Sequence, residues 1–350
     1  NPVALALLRN NTVLNNRVMS NLFADVQLIK GLKFRTEFAV DYSNTLNKAF
    51  LPTYKWGTLV NNTSQFAQRS DQSFFWLWKN YLTYNKSFGA HDITLLAGTE
   101  AQKGRWESFT AYKINLPNDI QVMNQGQVSN IPNTGASVWN SLASFYGRAN
   151  YSYKDKYLVT ATLRRDGSSR FGPNNRWGTF PSVSAAWRIT NEEFFPSNAD
   201  VLTNLKLRVG WGQVGNQEIR NYAFGSALNS LNSYFGPAVI NSAYSNPDVQ
   251  WESTAMTNVG IDVEMFNGRL DFTVEAYNKI TDNLLLQVNL PATFGEQVGG
   301  PQANVGSMKN KGIEGTLNSV NIDRGKFKWT TNANISINRN MVTDMGGYPI

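Results

Sequence analysis

The sequence predicts an all-β fold, a transmembrane antiparallel β-barrel, on three observations. Apolar and polar residues alternate with period two over stretches of about ten residues, the length of a strand crossing a bilayer. The connections between those stretches are short, then long, in turn. Finally, the chain is poor in charge (16%) and rich in aromatics (13%), against about 25% charged residues in ordinary soluble domains. No apolar run approaches the ~18 residues of a membrane-spanning helix; the longest burst is Phe74-Phe75-Trp76-Leu77-Trp78. Mean hydropathy is −0.36, because alternation hides the apolar face from an average.

The first hairpin carries Val18, Leu22, Ala24, Val26 and Leu28, then Leu32, Phe34, Thr36, Phe38, Val40 and Tyr42. A three-residue loop, Ile29-Lys30-Gly31, pairs Leu28 with Leu32, Val26 with Phe34 and Leu22 with Phe38, and sets Asp25 opposite Arg35. Gly31 then takes the left-handed position such loops need. A two-residue turn would mix the faces. Next, Ile93, Leu95 and Ala97 alternate with Thr94, Leu96 and Gly98. A hairpin turning at Lys154-Asp155-Lys156 pairs Tyr153 with Tyr157, Tyr151 with Val159 and Ala149 with Ala161, leaving Arg148 and Arg164 on the wet face. Val183, Ala185, Trp187 and Ile189 form one stripe, and Leu205, Leu207, Val209 and Trp211 another.

Asn267-Gly268 is a strong hairpin signal. It pairs Met265 with Leu270, Val263 with Phe272, Ile261 with Val274 and Val259 with Ala276; Glu264 faces Asp271, Asp262 faces Thr273, and Gly260 faces Glu275. Near 311–321, Ile313 and Leu317 point one way and Val320 the other, which a bulge would reconcile. Phe327, Trp329, Thr331, Ala333, Ile335 and Ile337 make the last stripe.

These segments amount to about twelve strands of the barrel type. Short turns fall near 30, 87, 155, 267 and 324, with a longer one from Asn191 to Thr203. Long connections cover roughly 43–73, 101–141, 167–179, 213–250 and 281–310. Short periplasmic turns and long extracellular loops are the rule for outer-membrane barrels. Phe88, Tyr153, Tyr157, Phe266 and Phe327 near the short-turn rim suit an interfacial girdle.

The remaining chemistry is sparse. There is no cysteine, which excludes disulfides and thiolate sites, and His91 is the only histidine, which excludes multi-histidine metal sites and a His-based triad from this chain. His91 reads as structural or interfacial. The net charge of +7 is scattered rather than clustered, so no nucleic-acid footprint is expected. Gly210-Trp211-Gly212-Gln213-Val214-Gly215 matches a dinucleotide fingerprint in letters only: a loop rich in Ser, Asn and Gly follows instead of a helix. Its glycines read as relief of crowding at a strand end. The facing carboxylates Asp262, Glu264, Asp271 and Glu275 could hold a cation or transfer protons, but a solvated wall or a docking patch for a basic plug is the preferred reading.

Several stretches, spread from end to end, carry a resemblance. They are Asn1-Pro2-Val3-Ala4, Lys30-Gly31-Leu32-Lys33-Phe34-Arg35-Thr36, Asp166-Gly167-Ser168-Ser169-Arg170-Phe171-Gly172 and the run from Arg176-Trp177-Gly178-Thr179-Phe180-Pro181 through Trp187-Arg188-Ile189. Gly212-Gln213-Val214-Gly215-Asn216-Gln217, Asn246-Pro247-Asp248-Val249-Gln250-Trp251-Glu252 and Asn278-Lys279-Ile280-Thr281-Asp282-Asn283-Leu284-Leu285 complete the set. Together they resemble the SusC/RagA family of TonB-dependent outer-membrane transporters of Bacteroidetes. Arg165 departs from the pattern, which usually has a small residue there.

The resemblance implies a barrel of about 22 strands closed by an N-terminal plug, a SusD-like surface lipoprotein capping it, energy delivered by TonB through the N-terminal region, and glycans or oligopeptides as cargo. Residues 1–350 would be a partial barrel domain, with the signal, TonB box, plug and C-terminal strands lying outside it. No catalysis, cofactor or metal is expected. Asp25, Arg35, Arg148, Arg164, Arg208, Asp262, Glu264, Asp271 and Glu275 are the candidates to line the lumen. Trp106, Trp139, Trp177, Tyr234 and Phe235 are expected in loops, as candidates either to contact substrate or to pack within the loops. The apolar faces would meet outer-membrane lipid, so Val263→Lys or Phe34→Arg should block insertion and Thr273→Lys should not. A secreted soluble β-sandwich or propeller that binds carbohydrate is the alternative, since soluble sheets also bury one face.

Overall fold

A computed structural model describes residues 10–117, 120–196, 201–234, 236–289, 293 and 300–346. Twelve antiparallel strands form the path of one sheet, with a short thirteenth strand paired beside it. In sheet order the twelve are β1 (Asn10–Ile29), β2 (Leu32–Leu51), β5 (Gln65–Phe88), β6 (His91–Ile114), β8 (Thr134–Tyr153), β9 (Tyr157–Ser168), β10 (Trp177–Arg188), β11 (Leu202–Asn216), β14 (Glu252–Met265), β15 (Leu270–Asp282), β18 (Ser307–Arg324) and β19 (Phe327–Asp344). The thirteenth is β7 (Gln127–Val128), on β6. Small hairpins β3–β4 (Tyr54–Trp56, Leu59–Asn61), β12–β13 (Ala227–Ser233, Gly236–Ala243) and β16–β17 (Leu285–Gln287, Gln302–Asn304) sit in the long connections.

Strand registers follow the alternation. The hairpin at 154–156 pairs Tyr153 with Tyr157, Tyr151 with Val159 and Ala149 with Ala161, as expected. The hairpin at Asn267-Gly268 pairs Met265 with Leu270 and every residue down to Val259 with Ala276 as expected. Its turn is wider than two residues, because Phe266 joins Asn267 and Gly268 at positive φ. At the first hairpin Ile29 still belongs to β1 and the turn proper is Lys30-Gly31. Gly31 takes φ +86°, and the Arg35 guanidinium meets the Asp25 carboxylate of the neighbouring strand. A bulge at Asn321 shifts the register between Val320 and Ile322 and reconciles the two faces of β18.

Two long connections are shorter than expected. Regular strand covers most of 43–73 and 101–141, because β2 continues to Leu51, β5 starts at Gln65, β6 reaches Ile114 and β8 starts at Thr134. Hydrogen-bonded strand thus persists after the oil–water alternation has ended.

The chain divides into two compact units: Asn1–Ala24, Thr36–Lys79 and Ala101–Ser141; and Asp25–Arg35, Asn80–Glu100 and Leu142–Ile350. The first has a small core of Phe50, Phe66 and Leu116, with Met123 against it. Ser64 anchors this core by accepting the Leu116 N–H at 2.8 Å. In the second unit one apolar row crosses eight strands: Tyr151, Val159, Ala185, Val209, Val259, Ala276, Ile313 and Ile337 are successive register partners. Its large members are exposed, from 36% at Tyr151 to 61% at Ile337. One residue along each strand the row is Ser152, Leu158, Ala186, Arg208, Gly260, Glu275, Glu314 and Ser336, which is largely polar and faces the other way. Leaving this much aliphatic surface uncovered is unfavourable in water and favourable in hydrocarbon.

At the short-turn rim Phe88, His91, Tyr151, Tyr153 and Tyr157 form a belt of rings. His91 stacks on Phe88 at 5.0 Å and its Nδ1 lies 2.8 Å from the Tyr151 hydroxyl. Glu192, in the longer turn after β10, accepts hydrogen bonds from the Tyr157 hydroxyl (2.6 Å), the Trp187 indole (2.9 Å) and the Lys156 ammonium (3.0 Å). These donors hold its carboxyl down at about 2. A lowered carboxyl stabilises the fold above the ordinary glutamate range and loses that contribution as pH falls toward the folded value. The stability gap between wild type and Glu192→Gln should therefore shrink steadily from pH 5 to pH 2 in detergent unfolding titrations. A gap that is constant over this range would show that the three donors do not act on the ionised carboxyl.

Candidate functional site

The polar face is built around arginines held by acids. On β11, Arg208 forks onto Asp262 of β14 (2.9 and 3.1 Å) and reaches Glu275 of β15 at 3.2 Å. Asn258 donates to Glu275 at 2.9 Å, Thr273 donates to Asp262 at 3.3 Å, and the Lys206 ammonium stands 4.0 Å from Asp262. Gly260, opposite Arg208, makes room: a Cβ there would lie 2.9 Å from the guanidinium. Asp262 and Glu275 are thus compensated by a guanidinium and an ammonium. Glu264 accepts from the Thr203 hydroxyl at 3.3 Å, and Asp271 is its register partner. Among the described residues no group of three His, Cys, Asp or Glu side chains is placed to hold a metal ion.

A second knot centres on Arg164 of β9. It meets Asp166 at 2.7 Å, Ser144 of β8 at 2.8 Å and Glu100 of β6 at 3.4 Å. Arg148 donates to Thr162 at 3.2 Å. Near the first hairpin the Arg35 guanidinium forks onto Asp25, which Lys33 also approaches at 2.9 Å. Sequence reasoning missed Glu100, Ser144, Asp166, Lys206 and Asn258. One signal was available: Arg164 and Asp166 are two apart on a strand and so share a face, as do Arg69 and Asp71 (2.7 Å) and the paired Arg105 and Glu107.

Where the long connections meet the sheet, the second unit has its own core. Phe171, Phe180, Ile219, Ala223, Val249 and Trp251 are buried together, with Leu142, Phe224 and Leu285 packed against them. Trp251 lies 5.0 Å from Phe171 and 5.4 Å from Phe180 between ring centres, and its indole donates to the Arg176 carbonyl at 3.1 Å. Gly215 lies under the Phe180 ring; a Cβ there would come within 2.1 Å of it. Gly210 and Gly212 are likewise crowded, by Asn258 and Ser182. The whole Gly210–Gly215 segment lies in strand β11, which agrees with glycines that relieve crowding. Arg170 donates to the Gln217 carbonyl at 2.9 Å and to Asn221 at 3.2 Å, tying two connections together.

Of the aromatics expected in loops, three stand on strands: Trp106 on β6, Trp139 on β8 and Trp177 at the start of β10. These strands run past the apolar zone, so the three residues lie on regular strand rather than in loops. Trp139 lies between Lys103 and Arg105, 4.5 and 4.8 Å from its ring centre. Trp177 lies under Arg165 at 5.5 Å and beside Phe145 at 5.9 Å, so the exceptional Arg165 is held by an aromatic face. Tyr234 ends β12–β13 in a loop tip and is 97% exposed. Phe235 lies outside the described residues.

Comparison with known proteins matches residues 7–349 to the family model described as TonB dependent receptor-like, beta-barrel. TonB-dependent receptor P39 of Formosa agariphila is 36% identical over all of this chain and 34% of its own length. TonB-dependent receptor SusC of Bacteroides thetaiotaomicron is 31% identical over 99% of this chain and 35% of its own. The solved structure of the RagAB peptide transporter superposes with a TM-score of 0.91 at 26% identity, covering 97% of this chain and 38% of that one. The chain thus spans about a third of the length of the relatives it matches.

Proposed function

This chain belongs to the TonB-dependent receptor-like β-barrel family, and on that footing we propose that it is a section of wall in an importer of glycans or oligopeptides. The chain is part of a transmembrane barrel of the outer membrane. The apolar row of eight strands carries the proposal, because it is a continuous hydrocarbon-facing surface backed by a polar one. The apolar face meets outer-membrane lipid. Asp25, Arg35, Arg148, Arg164, Arg208, Asp262, Glu264, Asp271 and Glu275 line the lumen, where interlocked ion pairs give a rigid wetted wall against which a plug can seat. The buried cluster around Trp251 anchors the long extracellular loops that contact cargo, through Tyr234 and its neighbours, and a SusD-like lipoprotein. TonB supplies the energy, and the cargo passes without chemical change. A soluble β-sandwich or propeller would need Val209, Val259, Ile313 and Ile337 sealed in a core, and they are exposed.

The test is uptake in cells lacking the full-length gene. Fluorescent oligopeptide or oligosaccharide should accumulate only when the gene is restored, and only while TonB is functional. Uptake of both cargo classes that is indifferent to the gene, or that survives loss of TonB, would overturn the proposal.

A further inference from the structure

On the face that carries the apolar row, β18 and β19 change character at their long-loop ends. Ile313 is paired with Ile337; two residues further out Lys311 is paired with Arg339, and two further again Lys309 is paired with Met341. The pairing sets two cations directly opposite each other, an arrangement that repels unless an anion lies between them. Lys309, Lys311 and Arg339 have no carboxylate partner within 4.0 Å among the described residues. Same-face acids, Asp282 and Asp344, occur only in the next register row outward, on either side of Ser307.

Depth fixes the surroundings. Arg339 stands twelve residues from the short-turn end of β19 at Phe327, which at about 3.3 Å per residue and a tilt near 40° is about 30 Å, one hydrocarbon thickness. The cations therefore sit where acyl chains give way to headgroups in the outer leaflet.

We propose that Lys309, Lys311 and Arg339 form a docking site for the phosphates of an outer-leaflet glycolipid, whose acyl chains lie along Ile313 and Ile337. This rests on the membrane-barrel assignment above. Charge complementarity selects an anionic headgroup over a neutral one, and continuity with the apolar row selects a lipid over a soluble anion. Each cation near an anionic surface adds roughly fivefold to binding, so the three together give on the order of a hundredfold.

The experiment uses the full-length transporter in detergent, titrated with lipid A and with enzymatically dephosphorylated lipid A, and read by native mass spectrometry. Wild type should bind the phosphorylated form on the order of a hundredfold more tightly than the triple variant Lys309→Gln, Lys311→Gln, Arg339→Gln. The two proteins should bind the dephosphorylated form alike. A heat-modifiable band on gels confirms that each is a folded barrel. Equal binding of both lipids by wild type, or undiminished binding by a folded variant, would overturn the proposal alone. A wild-type protein that forms no barrel in detergent would overturn the membrane assignment, and the proposal with it.

Discussion

Arginine in place of Val259 is expected to stop the barrel from inserting. Val259 stands in β14 six residues from its short-turn end at Met265, which at about 3.3 Å per residue and a tilt near 40° is about 15 Å, the midplane of the hydrocarbon. Its register partners are Val209 and Ala276, neither of which can pair with a guanidinium. At this depth the substitution costs about 2–4 kcal/mol, on the order of a 30- to 1000-fold loss in the folded, inserted population. Lysine in place of Thr273 is the mirror case. It lies on the polar face, where its hydroxyl already donates to Asp262 and an ammonium adds an ion pair. Refolding into lipid vesicles, scored by the heat-modifiable band, should separate the two; equal yields would sink the division into lipid and water faces. Val263 and Phe34, the positions that the sequence singled out, lie two residues from the short-turn ends of their strands. The cost there falls to about 0–1 kcal/mol, so Val263→Lys and Phe34→Arg should be milder than Val259→Arg.

Why the hairpins at 154–156 and 267–268 were legible residue by residue, while the loop base was not, has a physical answer. Between oil and water every strand must alternate, and a slip of one residue would turn its whole apolar stripe to the wrong side. Register is then written in the sequence wherever a turn signal fixes the fold-back, as at Asn267-Gly268. Past the hydrocarbon that pressure ceases. Gln65–Ser73, Gln102–Ile114 and the first residues of β8 are hydrogen-bonded as strand but show no stripe, so Trp106 and Trp139 read as loop residues in the sequence. The Arg208 and Arg164 knots were half legible: wet faces follow from parity, but partners such as Glu100 and Asn258 depend on which strands are neighbours. The cluster of Ile219, Ala223, Val249 and Trp251 has no period at all, since irregular connections place apolar residues wherever a core needs them.

That cluster supports the second large effect, Trp251→Ala. Trp251 is 9% exposed, touches Phe171 and Phe180, and donates to the carbonyl of Arg176. Removing a buried tryptophan costs about 3–5 kcal/mol, and here it also leaves the Arg176 carbonyl without its indole donor. The membrane-spanning strands do not depend on this cluster, so the heat-modifiable band should persist. The cost falls instead on local opening of the long connections. Cleavage of those connections by an external protease should accelerate on the order of a hundredfold or more, and uptake should fall with it. Trp251→Phe, which retains most of the packing and loses the hydrogen bond, should lie much closer to wild type, at about 1 kcal/mol. Gly215→Val acts on the same cluster from beneath, by driving its side chain into the Phe180 ring, and should expose the same cleavage sites. Loops in Trp251→Ala that resist protease as well as wild type would mean that they are held by something other than this core, and the proposed cargo contacts would then have to be sought away from the sheet end that Trp251 organises.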